Sequence, residues 1–338
     1  MKRLCALFLA SLAVATSFAS SSDSEKIDYT PHVHGVLRTR LEVNTTDGEY
    51  RFQVRNARLS LDGKIASWAD YFIQTDLCDQ GKMKILDAYA RISPSRNFFF
   101  QAGQFRMPFG VETFRAPATY IFANRSFMGK QMCNYRAVGA KGGYKFSHLP
   151  LGIEAGIFNP SAIGDHTGWH KDLAFASKLW YKLSNVTFTT GFQSIHPSSV
   201  RANLIDASVA WHTSRWQVEG EYMYEHYVHH AHTPAHSYVF FADYRMAIHA
   251  WKFNRLSFQA RFDGITAHSS AIPDTNGILI TDNPARNRLT LGSTISYIHT
   301  KSIWLDIRAN YEKYFHHSST TLTSDLGDKA LLELVLRF

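Results

Sequence analysis

The sequence predicts an all-β protein, a transmembrane antiparallel β-barrel of about sixteen strands. Three observations predict it. Apolar and polar residues alternate with period two through most of the chain. The alternating segments have about the 9–11 residues that a tilted strand needs to cross a bilayer. The connections between them are alternately short and long.

The N-terminus stands apart from this pattern. Lys2 and Arg3 precede an apolar run from Leu4 to Ala15, and Ser17-Phe18-Ala19 places small residues where a signal peptidase cuts. Residues 1–19 therefore read as a cleavable secretory signal. The run is too short for a permanent spanning helix. Cys5 lies at the start of that run, far ahead of the cleavage site, so it is not a lipid-anchor cysteine. Loss of Lys2 and Arg3 lowers the formal net charge from +8 to +6, a modest basic excess that favours anionic partners. No later stretch has the roughly 18 apolar residues of a membrane helix. A chain that is exported and still spans a membrane must then close into a barrel, because an open sheet edge has no hydrogen-bond partner in lipid. Residues 20–34 form a short periplasmic segment, and 35–338 form one barrel domain.

Sixteen segments carry the alternation: 36–44, 51–65, 69–77, 84–93, 97–106, 136–147, 151–159, 171–183, 186–196, 203–213, 215–226, 237–248, 254–265, 286–299, 302–315 and 328–338. In the last, Ala330, Leu332, Leu334, Leu336 and Phe338 share one face, while Lys329, Glu333 and Arg337 lie on the other. In the fifteenth, Ile303, Leu305, Ile307, Ala309 and Tyr311 alternate with Asp306, Arg308, Asn310 and Glu312. Parity changes near Arg55-Asn56 in the second segment, the mark of a β-bulge. Connections such as Ser184-Asn185 and Thr300-Lys301 are short, whereas 107–135, 160–170, 227–236, 266–285 and 316–327 are long. Outer-membrane barrels have short periplasmic turns and long outer loops, which puts both termini in the periplasm. The aromatic share of 14% includes Trp68, Trp180, Trp211, Trp216 and Trp304 near strand ends, where aromatic girdles sit at headgroup level.

The longest connection, 107–135, is aromatic for an exposed loop: Phe109, Phe114, Tyr120, Phe122 and Phe127. It is too apolar for disorder, so it is expected to fold inward and narrow a lumen otherwise wide enough for water. Its charges are mostly basic. Arg115, Arg125 and Lys130, with Arg106 and Arg136 at its ends, are the expected constriction of an anion pathway. Arg38, Arg40, Arg51, Arg55, Arg58 and Arg91 add basic groups on inner faces. Glu42, Asp62, Asp76 and Asp87 also point inward, as do Glu219, Glu221, Glu225, Asp306 and Glu333, so the lumen as a whole is mixed.

The stretch from Gln101 to Glu112, with Gly103-Gln-Phe-Arg106-Met-Pro108-Phe-Gly110, resembles a motif of the phosphate-selective porin O and P family. Arg55-Asn-Ala-Arg58-Leu-Ser-Leu-Asp-Gly63, Asp87-Ala-Tyr89, Arg136-Ala-Val-Gly139 and Gly156-Ile-Phe-Asn159 extend the resemblance over residues 35–183. From there to Phe338 it rests on strand pattern and the aromatic C-terminus. The resemblance implies a sixteen-stranded outer-membrane porin, usually a homotrimer, passing inorganic phosphate or other small anions. That family's selective members carry an arginine ladder and a lysine cluster; here a full ladder does not map and loop lysines are few.

Cys78 and Cys133 both fall on expected outer connections, and export permits a disulfide; a bridge and two free thiols are both compatible with the sequence. His226, His229, His230, His232 and His236 crowd one loop, without the spacing that fixes a metal. Asn44-Thr-Thr46 matches a glycosylation acceptor and reads as chance. No cofactor, metal, catalytic residue or nucleic-acid partner is expected, only a lipid bilayer and a diffusing solute. Three alternatives stand beside an anion channel: a general small-solute porin, a barrel enzyme using His196 with Ser194 or Ser198, and a plugged barrel.

Overall fold

The computed structural model describes residues 27–79, 81–133, 135–160, 167–196, 200–270, 273–300, 303–316 and 326–338. The expected signal peptide, 1–19, and the first part of the 20–34 segment lie outside them. The described residues form sixteen strands: β1 (His32–Asn44), β2 (Tyr50–Ala66), β3 (Ala69–Asp79), β4 (Lys82–Ile92), β5 (Phe98–Arg106), β6 (Arg136–Lys145), β7 (Leu151–Phe158), β8 (Ala174–Leu183), β9 (Val186–Ile195), β10 (Ala202–His212), β11 (Trp216–Tyr227), β12 (Ala235–Ala250), β13 (Phe253–Ile265), β14 (Arg286–His299), β15 (Trp304–His316) and β16 (Lys329–Arg337).

Each strand pairs antiparallel with its neighbours in sequence, and β1 pairs with β16, so the sheet closes and no edge is left unpaired. Strand β1 begins at His32, earlier than expected, because His32 to Gly35 continue the ladder against Asp62 to Leu59. Asp62 also bonds the His34 ring at 2.7 Å. The bulge falls at Arg55: Arg38 pairs with Asn56 and Thr39 with Val54, leaving Arg55 as the extra residue.

Burial is inverted relative to a soluble protein. On β1, Arg38, Arg40, Glu42 and Asn44 are buried; on β15, Asp306, Arg308, Asn310 and Glu312 are buried while Ile307 and Tyr311 are exposed. In a closed barrel the buried face is the lumen. The outer face therefore carries Phe52, Leu291 and Leu332, all more than half exposed, an apolar surface that water would not tolerate and lipid requires. No helix among the described residues is long and apolar enough to cross a membrane; strands make the crossing.

Candidate functional site

The connection 107–135 holds three short helical turns, Glu112–Phe114, Pro117–Thr119 and Met128–Met132. Such a segment leaves many backbone groups without a ladder, and each needs a partner when buried. Side chains on the lumen faces of six strands supply them. Glu221 of β11 accepts from Val111 N and Glu112 N, both at 2.8 Å. Lys178 of β8 donates to Gly110 O at 2.9 Å. Arg308 of β15 donates to Tyr120 O, and Arg38 of β1 to Ala123 O at 2.6 Å. Arg261 of β13 donates to Asn124 O at 2.8 Å, and Arg288 of β14 to Arg125 O at 2.7 Å. Asp263 accepts from Phe127 N at 2.9 Å. Phe109, Met128 and Met132 are fully buried, and Phe122 meets Phe241 edge-on at 6.0 Å.

The carboxylates of the second half are largely consumed by pairing. Glu333 takes Arg38 at 2.5 Å and Arg308 at 2.8 Å. Asp263 and Glu312 share Arg261 and Arg288 at 2.9–3.5 Å. Arg115 is taken up by Glu112 at 2.8 Å and by Glu219.

The first quarter is different. A cavity of about 660 Å³ opens against β1, β2 and the long-loop ends of β4 to β6 and β14 to β16. Of the expected basic residues it gathers Arg38, Arg40, Arg51, Arg55, Arg58, Arg106, Arg125, Lys130 and Arg136, and it adds Lys84, Arg286, Arg288 and Lys329. Glu42 is the one carboxylate among its described lining residues, and Arg40 (2.8 Å) and Arg51 (2.5 Å) already hold it. Arg136 pairs with Asp87 at 3.1 Å. Arg106 is 8% exposed and finds no acceptor within hydrogen-bonding distance among the described residues. Several arginines are braced against rings, Arg38 over Tyr120 at 4.9 Å and Arg288 over Phe127 at 4.5 Å, which fixes their forks before any solute arrives.

Arg115 and Arg91 are not brought to this cavity. Arg115 lines a smaller one, about 240 Å³, towards the short-turn end with Arg245, Arg255, Arg308, Asp243 and Asp306. Arg91 donates twice to Gln101, at 3.1 and 2.7 Å, and lies over Phe99. Sequence reasoning missed Lys84, Arg286, Arg288 and Lys329 as lining groups. Strand parity held the signal, since Arg286 and Arg288 share a face with Thr290.

The disulfide alternative is corrected: Cys78 and Cys133 are both free thiols. Cys133 is buried on the loop, its Sγ meeting the Thr113 hydroxyl, whereas Cys78 lies near Val54 O. Among the described residues no group of three or more His, Cys, Asp or Glu side chains is placed to hold a metal. The serine–histidine alternative is not assembled in the described residues. His196 meets Asp172 at 2.9 Å, but the Ser194 hydroxyl accepts from Arg201 instead; Ser198 lies outside the described residues.

Comparison with known proteins agrees with this geometry. Residues 33–180 match the family model described as phosphate-selective porin O and P. No curated protein sequence matches the chain significantly. Among solved structures, the anion-selective porin from Comamonas acidovorans aligns with TM-score 0.62 at 9% identity, covering 91% of this chain and 98% of that one. The outer membrane channel DcaP of Acinetobacter baumannii aligns with TM-score 0.60 at 11% identity, covering 95% and 100%. Salmonella typhi OmpF aligns with TM-score 0.61 at 14% identity, covering 91% and 97%. At these identities the likeness is one of fold. By fold the chain is a closed sixteen-stranded antiparallel barrel of the kind seen in outer-membrane porins, and its residues 33–180 match the phosphate-selective porin O and P family model that the motifs between Arg55 and Asn159 imply.

Proposed function

We propose that the chain is a passive channel for small anions, with phosphate or a related oxyanion as the preferred solute. Arg106 carries the reading. A buried guanidinium without a bonded counter-charge is costly, of order several kcal/mol, and this one, whose nearest carboxylate Asp87 is taken by Arg136, shares a cavity with twelve other cationic side chains and one carboxylate. An anion entering the cavity supplies the missing charge. The bonds from 107–135 to lumen side chains on β1, β8, β11 and β13 to β15 support a segment folded inward as the constriction.

Arginine favours an oxyanion over chloride because its planar fork can donate two parallel bonds to one phosphate. Passage then replaces water around the solute with successive arginine donors, and no bond is made or broken. The test is single-channel conductance of the refolded protein in a planar bilayer, with chloride current titrated by phosphate. Anion-selective current that falls at low phosphate is the expected result. Open channels indifferent to phosphate would leave a general small-solute porin, and no conductance would indicate a plugged barrel.

A further inference from the structure

Tyr120 is the one described residue that lines both the basic cavity and the smaller cavity towards the short-turn end. It follows the turn Pro117–Thr119, and its backbone is held from behind by Arg308. The side chain stands among cations. Arg125 donates from Nε to the phenol oxygen and lies over the ring at 5.1 Å, while Arg38 lies over the ring at 4.9 Å.

We propose that Tyr120 is the gate between the two cavities: its ring fills the passage, and its hydroxyl occupies Arg125 until a permeating oxyanion takes that donor over. This rests on the anion-channel reading. A neutral phenol is a weaker acceptor than an oxyanion, whose charge-assisted bonds are roughly twice as strong. Phosphate therefore displaces the hydroxyl, the ring swings aside, and the hydroxyl returns to Arg125 when the solute leaves. Chloride is a weaker hydrogen-bond acceptor than phosphate and displaces it less well. The same contacts make the gate sensitive to alkali. Burial opposes ionisation of the phenol, yet Arg125, Arg58, Arg38 and Arg106 outweigh it and hold Tyr120 below the ordinary phenol value. The charged groups around it are thus Arg38 of β1, Arg58 of β2, Arg106 of β5, Arg308 of β15 and Arg125 of its own segment, with Glu333 of β16 behind Arg38 and Arg308 as their counter-charge. Once ionised, the phenolate is a tethered anion that keeps Arg125 and cancels one positive charge of the pathway.

The experiment compares wild type, Tyr120→Phe and Tyr120→Ala in planar bilayers. Variants are first checked for the folded, heat-modifiable gel band. Tyr120→Phe keeps the ring and frees the Nε donor of Arg125, whose other nitrogens stay on Gly129 O, Thr113 O and Arg115 O, so the phosphate concentration that halves chloride current should fall by about threefold or more. Wild-type anion current should decline as pH rises towards the phenol range, and Tyr120→Phe should abolish that decline. Tyr120→Ala should raise chloride conductance about twofold or more by opening the passage. Wild-type channels with normal anion current that neither substitution alters would overturn the gate alone. A wild type without anion current would overturn the channel reading, and the gate with it.

Discussion

The ring of Phe338 lies over Gly35, where β16 meets β1 and the barrel closes. The two residues exchange backbone bonds, Gly35 N to Phe338 O at 2.9 Å and Phe338 N to Gly35 O at 3.1 Å. A Cβ built on residue 35 would fall 2.2 Å from the ring's Cζ. Glycine is therefore required here by a neighbour and not by its own backbone. Gly35→Ala should evict the ring while leaving the strand bonds, at a cost of about 1–3 kcal/mol. The readout is the temperature at which the folded gel band is lost. Phe338→Ala should lower it too, and the double variant should fall short of the sum, because one contact is lost only once. Full additivity would show that the ring and the glycine act separately.

Arg106 and Arg115 predict opposite phenotypes although both are arginines, one at the start of a segment and the other within it. Arg106 has no acceptor, so Arg106→Gln removes an uncompensated buried charge. Stability should hold or rise, while phosphate block of chloride current weakens about tenfold or more. Arg115 neutralises Glu112 and Glu219, so Arg115→Gln leaves Glu112 without its ion-pair partner and Glu219 with only His212 and Gln217. It should destabilise by about 3–5 kcal/mol and affect phosphate block less. Denaturant titration and bilayer recording on both variants check the pair. A large stability loss for Arg106→Gln would mean that its role is structural.

The strands were legible because lipid imposes a simple demand. Leu332 and Leu334 must face lipid and Glu333 must not, so the pattern survives without knowledge of any contact. The bulge at Arg55 was legible for the same reason, since one extra residue inverts the parity that follows. Pairing was not legible. Arg115 reaches Glu219 across more than a hundred residues, and Arg38 reaches Glu333 through the closure of the barrel; only three-dimensional register decides which arginine keeps a free fork. The candidate site therefore differs from the sequence expectation by subtraction of Arg91 and Arg115. It differs by addition as well, of Lys84 on β4 and of Arg286, Arg288 and Lys329, whose strands approach the first quarter only in the closed ring.

The two thiols should react at very different rates. Cys78 is partly exposed at the long-loop end of β3, whereas Cys133 is 2% exposed. Burial pushes the Cys133 thiol up, further from the reactive thiolate, and Glu221 adds to that effect. A maleimide should label Cys78 in the folded barrel and reach Cys133 only after unfolding. Reducing agent should leave the band's mobility unchanged. Fast labelling at Cys133 would show that the segment carrying it opens in solution.

Asp263 governs how firmly the segment 107–135 is held. Its two oxygens accept Arg288 at 3.1 and 2.9 Å and Phe127 N at 2.9 Å, and Arg261 lies 3.3 Å away. One carboxylate thus fixes both a backbone group of the segment and two arginines that themselves hold the Asn124 and Arg125 carbonyls. Asp263→Asn preserves the shape but turns an amide towards a guanidinium and removes the charge. The expected loss is about 2–4 kcal/mol, since Arg261 and Arg288 must then share Glu312 alone. Because the bonds lost belong to the segment as well as to the wall, the effect should extend to conduction, with larger and noisier single-channel currents and faster proteolysis within 107–135. Replacing Arg288 by Met in the same background separates the two contributions. If Asp263 acts only through Arg288, which itself holds Arg125 O, Arg288→Met should reproduce both the stability loss and the noise, and Asp263→Asn in that background should add neither. If Asp263 holds the segment directly through Phe127 N, the noise should appear with Asp263→Asn even when Arg288 is already absent. Quiet currents in every variant would show that the segment is held elsewhere, at Glu221 or Arg308.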